Sequence, residues 1–402
     1  MIDLSTTFGG LRLKSPLIAA SAPPTESAAS IARCIEAGIG AIVTKSIVDY
    51  RREDVPYIPR RALRNGGGQW SIQGSFASET LTLAEGISLL QGMGGQTGIP
   101  VIASVGVLGG PPSQTVNACC RLAEQGASMI HLDLFYTPQP RATDSALLEI
   151  KVLLEQLKLH CHIPIAIKLN LDYPAHLMSE FLSSGIVDAL FVLDSIRVPP
   201  PLDDKGYPSI PNLTGAFECS LFGSWQKPLT MQYISVLAAS IETQICAGGG
   251  LQNAVDVLDA IALGASTVQF ATPIMIHGAD WIKKTTNGIV DILSERGFNS
   301  IDQYRETMKA QRRAATSESV TPVRAIIDSA LCIKCDVCTT LMFCSFIAHD
   351  HVGMPTIDAD CYGCGFCVPL CPTSPKAIQL IPVHSDAAGA MQLPHSESLS
   401  PD

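Results

Sequence analysis

Over residues 1–311 the chain alternates short β-branched apolar runs with stretches whose apolar positions return every three to four residues. The runs predict strands at 17–20, 41–44, 101–104, 129–134, 165–169, 189–193, 244–247 and 267–269. The periodic stretches predict helices at 27–36, 113–124, 144–157, 228–240 and 251–263, with Ser113 and Asp144 at N-cap positions. Strands and helices alternating in this way over roughly 270 residues predict a (β/α)8 TIM barrel, not an open doubly wound sheet. Two connections, 47–83 and 197–227, are too long for plain βα loops. Loops of that length in a compact domain usually cover a functional site.

Composition sharpens this reading. Of 402 residues, 47% are hydrophobic and only 16% charged, with a mean hydropathy of +0.25. Such values suit parallel strands buried on both faces. No run of about twenty apolar residues lacks Gly, Pro or charge breaks, so a membrane span is not expected. A net charge of −10 argues against nucleic acid as the main partner. Nothing at the N-terminus resembles a signal peptide, and the expected setting is the cytoplasm.

Beyond the barrel, eight of the fourteen cysteines fall within forty residues. They read Cys332-x2-Cys335-x2-Cys338-x5-Cys344 and Cys361-x2-Cys364-x2-Cys367-x3-Cys371-Pro372. The second half has the spacing with which bacterial ferredoxins hold [4Fe–4S] clusters, where the fourth cysteine crosses to the other cluster. The expected ligand sets are therefore Cys332/Cys335/Cys338/Cys371 and Cys361/Cys364/Cys367/Cys344. The first half has five residues before its fourth cysteine where three are usual, so the assignment of Cys344 rests on less than the second triplet. A disulfide framework or paired zinc knuckles are the competing readings. A chain this long does not need stapling, and zinc sites favour two separated C-x2-C pairs over triplets. The expected organisation is a barrel at 1–311, a small α+β ferredoxin-like domain with two [4Fe–4S] clusters at 312–380, and a disordered tail at 381–402. The remaining six cysteines and His131 and His162 read as packing residues.

Barrel chemistry collects at the C-terminal ends of strands, with phosphate sites beyond strands seven and eight. Ala247-Gly248-Gly249-Gly250 ends the seventh strand and opens a helix, and Ala271-Thr272 follows the eighth. Backbone N–H groups at such a turn can approach an anion closely, although a plain glycine turn reads equally well from this run alone. Lys45 and Lys168 each terminate an apolar strand; a lone lysine there is more often a solvated terminus, but a matched pair would point two cations at the barrel mouth. A fixed cation there suits an anionic cofactor or the reduced ring of a flavin.

These residues resemble a known family. Ser15-Pro16-Leu-Ile-Ala-Ala-Ser21-Ala22-Pro23, Val43-Thr-Lys45-Ser46, Ile102-Ala-Ser104, Ile167-Lys168-Leu169, the glycine run, Gly264-Ala-Ser-Thr-Val-Gln269 and Lys227-Pro228-Leu229 carry the resemblance. Residues 1 to about 375 resemble the flavin and iron–sulfur catalytic part of dihydropyrimidine dehydrogenase, and the barrel alone resembles dihydroorotate dehydrogenase. The resemblance implies FMN at the barrel mouth, touched by Ala22, Lys45, Ser46, Lys168, Ser195, Gly223, Gly249, Gly250, Ala271 and Thr272. The substrate side departs from the pattern. Where the family has Asn-Leu-Ser-Cys-Pro, this chain has Asp133-Leu134-Phe135-Tyr136-Thr137-Pro138, so Tyr136 takes the acid/base position. Asp194 replaces a second substrate asparagine, and 105–110 supply no third. Ionised aspartate only accepts hydrogen bonds. A substrate with extra donors or positive charge therefore fits better than uracil or orotate.

The resulting expectation is an oxidoreductase acting on a CH–CH or C=C bond of a small, pyrimidine-like molecule. Tyr136 would donate the proton and Lys45 would stand beside the reduced ring; a pocket-lining role for Tyr136 is the competing reading. With no Gly-x-Gly-x-x-Gly after an early strand, an NAD(P)H-dependent flavoprotein subunit or a ferredoxin must exchange electrons with the clusters, and a homo- or hetero-oligomer is expected. Alternatives are the same chemistry run oxidatively on a dihydro-compound, or a degenerate barrel kept as an electron-transfer subunit.

Overall fold

The computed structural model describes residues 2–48, 61–64, 70–74, 80–93, 98–107, 111–136, 143–209, 219–315, 322–342 and 344–383. Residues 108–110, the Thr137-Pro138 step and the expected tail from 384 onward lie outside the described residues. The chain divides into two units, Met1–Arg313 and Ala314–Asp402.

The first unit is a closed parallel barrel of β1 (Leu17–Ala19), β2 (Ala41–Val43), β3 (Val101–Gly106), β4 (Met129–Asp133), β5 (Ile165–Lys168), β6 (Ala189–Val192), β7 (Gln244–Ala247) and β8 (Thr267–Phe270). Each strand pairs with the next, and β8 pairs back onto β1 through Val268 and Leu17. The strands are apolar on both faces because both are covered. Alternate residues separate two cores. Leu17, Ile42, Ile130 and Leu190 face outward into a layer shared with the helices. Ile18, Val43, Ile102, Met129, Ala166, Phe191 and Cys246 fill the barrel interior. An N-terminal hairpin, Thr6–Phe8 against Leu11–Leu13, adds Phe8 and Leu13 to that interior. Phe191 is fully buried and meets the rings of Phe8 and His131 edge-on at 5.2 and 4.5 Å. Truncating it to alanine would cost about 3–5 kcal/mol.

Further along β4 and β5 the inward positions turn polar: Asp133 pairs in register with Lys168, and both border the mouth together with Gln269 of β8. An apolar floor below a polar mouth follows from that change in the sequence of each strand.

Ten α-helices accompany the barrel among the described residues: α1 (Ala28–Glu36), α2 (Leu83–Met93), α3 (Pro112–Glu124), α4 (Asp144–His160), α5 (Ala175–Leu182), α6 (Lys227–Ser240), α7 (Ala254–Leu263), α8 (Thr272–His277), α9 (Asp280–Glu295) and α10 (Ile301–Ala315). The expected caps at Ser113 and Asp144 are corrected. Pro112 opens α3 because its fixed φ and missing N–H suit a first turn, which moves the cap to Pro111. Thr143 caps α4 by accepting from Ala146 N, which leaves Asp144 in the first turn. Because α10 runs on to Ala315, the division between units falls just beyond residue 311.

The two long connections meet each other. Ile196–Val198 and Cys219–Gly223 from one join Trp70–Gly74 and Arg61–Arg64 from the other in a four-stranded antiparallel sheet.

The second unit pairs Val323–Ile327 with Ile378–Pro382 and Ile347–His349 with Pro355–Ile357, both antiparallel. Its buried core comprises Ala325, Cys338, Cys367, Cys371, Ala377 and Ile378. So small a core is marginal without a metal or covalent staple. Among the described residues no helix is long and apolar enough to cross a membrane.

Candidate functional site: the barrel mouth and two thiol cavities

A cavity, about 880 Å³ of empty space counted together with its opening to solvent, lies at the C-terminal ends of the barrel strands. Every residue expected to touch a cofactor or substrate borders it, from Ala22 after β1, Lys45 and Ser46 after β2, and Asp133 and Tyr136 after β4, to Ala271 and Thr272 opening α8. Phe222 and Gly223 enter from the four-stranded sheet. Trp225, next to the lining residue Gln226, does not itself border the cavity.

The electrostatic centre is Lys168. Its Nζ lies 2.8 Å from Asp194 Oδ2 and 3.6 Å from Asp133 Oδ2. Burial alone would lower this lysine, but the carboxylates Asp133 and Asp194 outweigh it and hold the ammonium above its ordinary value. Both carboxylates are anchored by backbone. Phe135 N donates to Asp133 Oδ1 at 3.1 Å, and Ser195 N donates to Asp194 Oδ1 at 2.6 Å. Asp194 is itself pushed up by burial, against the pull of Lys168. Ser46 Oγ donates to Asp133 Oδ2 at 3.3 Å and lies 3.0 Å from Ser21 Oγ.

Tyr136 stands on a single 3-10 turn, Leu134–Tyr136, that leaves β4. Its ring lies against Gly106, where a side-chain carbon would come within 3.1 Å of it. Burial first, then the Asp133 charge, raise the phenol, while Ser46 works the other way. Arg197 braces this turn: its guanidinium sits 4.5 Å from the centre of the Phe135 ring, donates to the Phe135 carbonyl, and binds Asp172 Oδ2 at 3.3 Å.

Opposite lies the glycine run. Gly249 and Gly250 hold φ of +87° and +86°, which an L side chain resists. A Cβ on Gly250 would collide with the backbone N of Lys227, and one on Gly249 would lie 2.9 Å from Leu193 O. Thr230 of α6 fixes the run by donating to the carbonyls of Gly248 at 3.0 Å and Gly249 at 2.7 Å.

Two lining residues escaped the sequence reading. Gln226 and Gln269 are buried, and the Oε1 of each has no partner. Gln226 Nε2 donates to the Asp194 carbonyl, which fixes Oε1 as the idle end. A single glutamine carries no periodic signal; the one clue was that Gln269 interrupts an apolar strand.

These observations test whether FMN fits. Its phosphate needs backbone N–H groups at the cavity wall, and Gly249 and Gly250 border the cavity. Its ribityl hydroxyls and ring N–H match two orphaned amide acceptors. Its ring, more negative when reduced, matches the buried lysines 45 and 168. The residues fit.

In the second unit, two cavities of about 340 and 410 Å³ each gather four cysteines. Cys332, Cys335, Cys338 and Cys371 border one; Cys344, Cys361, Cys364 and Cys367 border the other. Cys371 thus lines the same cavity as the first triplet, and Cys344 the same cavity as the second. Among the described residues no three potential ligands converge tightly enough for a single metal ion. Thiols ringing a cavity suit a multi-atom cluster instead. All eight are free thiols. Burial would raise Cys371, but the Thr373 hydroxyl and the backbone N–H groups of Thr373, Ala377 and Ile378 outweigh it and bring it to about 7, which favours the thiolate a metal needs. The other six cysteines are buried or partly buried in the barrel unit.

A barrel with a cation-bearing, glycine-cradled mouth and a separate eight-thiol unit define a redox protein class. No family model matches the chain. The chain is similar to the dihydroorotate dehydrogenase B (NAD(+)) catalytic subunit of Methanothermobacter thermautotrophicus, 25% identical over 307 residues, which are 75% of this chain and 96% of that protein. The corresponding subunit of Thermoplasma volcanium is 23% identical over 309 residues, 75% of this chain and 97% of that protein. The NAD-dependent dihydropyrimidine dehydrogenase subunit PreA of Escherichia coli K12 is 22% identical over 314 residues, 75% of each chain. These relatives are dehydrogenase subunits, in agreement with the resemblance carried by the strand-end motifs.

Proposed function

We propose that this chain is the catalytic subunit of a flavin- and iron–sulfur-dependent oxidoreductase that acts on a CH–CH or C=C bond of a small, pyrimidine-like compound. The observation that carries this reading is the joint presence of the glycine-cradled, two-lysine barrel mouth and the two crossed four-thiol cavities. FMN, held by the residues named above, would supply the conversion between single electrons from two [4Fe–4S] clusters and the electron pair that the substrate requires.

The chain's own groups have definable tasks. Lys168, kept protonated by Asp133 and Asp194, holds a fixed positive charge beside the ring position. Tyr136, kept protonated by burial and the Asp133 charge, has a proton to give at neutral pH and is a poor base. That assignment favours reduction of a double bond over the oxidative direction. Gln226 and Gln269 accept hydrogen bonds and orient what enters. Asp133 and Asp194 present only acceptors, so a substrate offering N–H donors or a cationic nitrogen pairs with them where a plain uracil carbonyl does not. Electrons reach the chain from a separate NAD(P)H-dependent flavoprotein subunit or a ferredoxin, as the words "catalytic subunit" and "subunit" in the relatives' names suggest.

The retained cradle and cations speak against a degenerate barrel. The test is anaerobic photoreduction of the FMN-loaded protein, followed by a screen of unsaturated pyrimidines and amino-substituted analogues for reoxidation. Reoxidation by an amino-substituted ring faster than by orotate or uracil is expected. Failure of every unsaturated compound, with rapid reoxidation by a ferredoxin alone, would return the barrel to an electron-transfer role.

A further inference from the structure

The fourth cysteine of each thiol set carries a different neighbour two residues on: Thr373 after Cys371, Phe346 after Cys344. Thr373 Oγ1 lies 3.2 Å from Cys371 Sγ. The Ala377 N–H donates to the same oxygen at 2.8 Å. That bond occupies the acceptor side of the hydroxyl and fixes its position, leaving the O–H to point at sulfur. A cysteine that ligates iron is a thiolate with no proton, so between these two atoms only Thr373 can donate. Phe346, by contrast, borders the other cavity and stacks edge-on against Tyr362 at 5.4 Å. A phenyl ring has no hydroxyl to give.

A hydrogen bond to a ligating sulfur draws electron density from it and eases addition of an electron to the cluster, one of the recognised levers on cluster potential. One feature of the same cavity acts the other way: the Asp336 carboxylate borders it. Its Oδ1 is 2.8 Å from His349 Nε2, and it stays constant when Thr373 is varied. We propose that Thr373 is a positioning residue whose hydroxyl selectively raises the reduction potential of the cluster held by Cys332, Cys335, Cys338 and Cys371, setting it apart from its partner. This rests on the two-cluster reading of the second unit. The electron comes from an external reductant, one per cluster.

The experiment is an EPR-monitored redox titration with dithionite of the full chain, anaerobically reconstituted, as wild type, Thr373→Val and Thr373→Ser. Iron and acid-labile sulfide are counted on the same samples. Valine keeps the shape and removes the hydroxyl; serine restores it. The expected result is that Thr373→Val makes one cluster about tenfold harder to reduce, about 59 mV for a one-electron couple, while the other midpoint stays put and Thr373→Ser stays at the wild-type value. Should the valine chain not retain its iron, Thr373→Ala reads the same shift. Full iron content with both midpoints unmoved, both moved together, or serine shifted as far as valine would overturn the proposal alone. Iron below what two clusters require in the wild type would overturn the two-cluster reading and the proposal with it.

Discussion

Aspartates 133 and 194 pair with Lys168 and border the cavity, and under the proposed function they also remove amide donors from its substrate side. Restoring the amides in the double variant Asp133→Asn, Asp194→Asn should raise the rate of orotate- or uracil-driven reoxidation by about tenfold or more, since each unpaired substrate group costs about 1–3 kcal/mol. An unchanged rate in stopped-flow would show that the carboxylates do not set specificity. Tyr136→Phe should slow reoxidation by about 10²-fold, the lower end for loss of a positioned proton donor, with flavin content unaltered; equal turnover would leave Tyr136 as a wall of the pocket. His131 offers a stability test. It is fully buried, its Nδ1 lies 3.1 Å from Ser104 Oγ, and burial followed by the Lys168 charge lowers its pKa from 6.5 to about 3. Because the folded value is depressed, the unfolded chain binds the extra proton between the two values. The neutral ring's contribution is therefore complete above about pH 6.5 and is lost as the pH falls toward 3, a loss on the order of a few kcal/mol. Urea unfolding at pH 7 and pH 5 should show a smaller pH dependence in His131→Gln than in wild type; equal slopes would contradict the burial argument.

Individual elements differ in how much of them the sequence could reveal. All eight barrel strands lie within one or two residues of their expected bounds because strands buried on both faces are unbroken apolar runs. The caps expected at Ser113 and Asp144 were misplaced by one or two residues because neighbouring Pro112 and Thr143 compete for the same first turn, and local propensity does not say which wins. The sheet formed by the two long connections was illegible. Its register joins Ser71 to Gly223 across a wide sequence separation, and neither strand is marked by its own pattern. In the site, lysines and glycines announced themselves by ending apolar strands, whereas Gln226 needed the structure to reveal a fully buried amide with an idle oxygen. The glycine cradle gives the sharpest element-level prediction. Gly250→Ala forces a side chain into φ +86° and against Lys227, so FMN affinity measured by fluorescence quenching should fall at least tenfold, about 1.4 kcal/mol. Full affinity with an intact circular-dichroism spectrum would remove the backbone cradle from cofactor binding.

At the scale of the whole molecule, composition and cysteine spacing carried most of the information. High hydropathy with few charges belongs to the barrel, whose core builds itself from side chains. The Ala314–Asp402 unit has the opposite economy: three of its six core residues are cysteines. Its fold should therefore depend on what the thiols bind, and chelation of iron under anaerobic conditions should melt this unit while leaving the barrel's helical signal in place. Both units have a task in the proposed chemistry: the clusters of the thiol unit would carry single electrons, and the flavin of the barrel would pair them for delivery to carbon. The most direct measurement is the cofactor content of the intact chain after anaerobic purification and reconstitution. One FMN with about eight iron atoms and eight sulfides, as two [4Fe–4S] clusters require, is the predicted result. Protein that binds no flavin, or whose cysteines carry zinc or pair as disulfides, would contradict the account at its base.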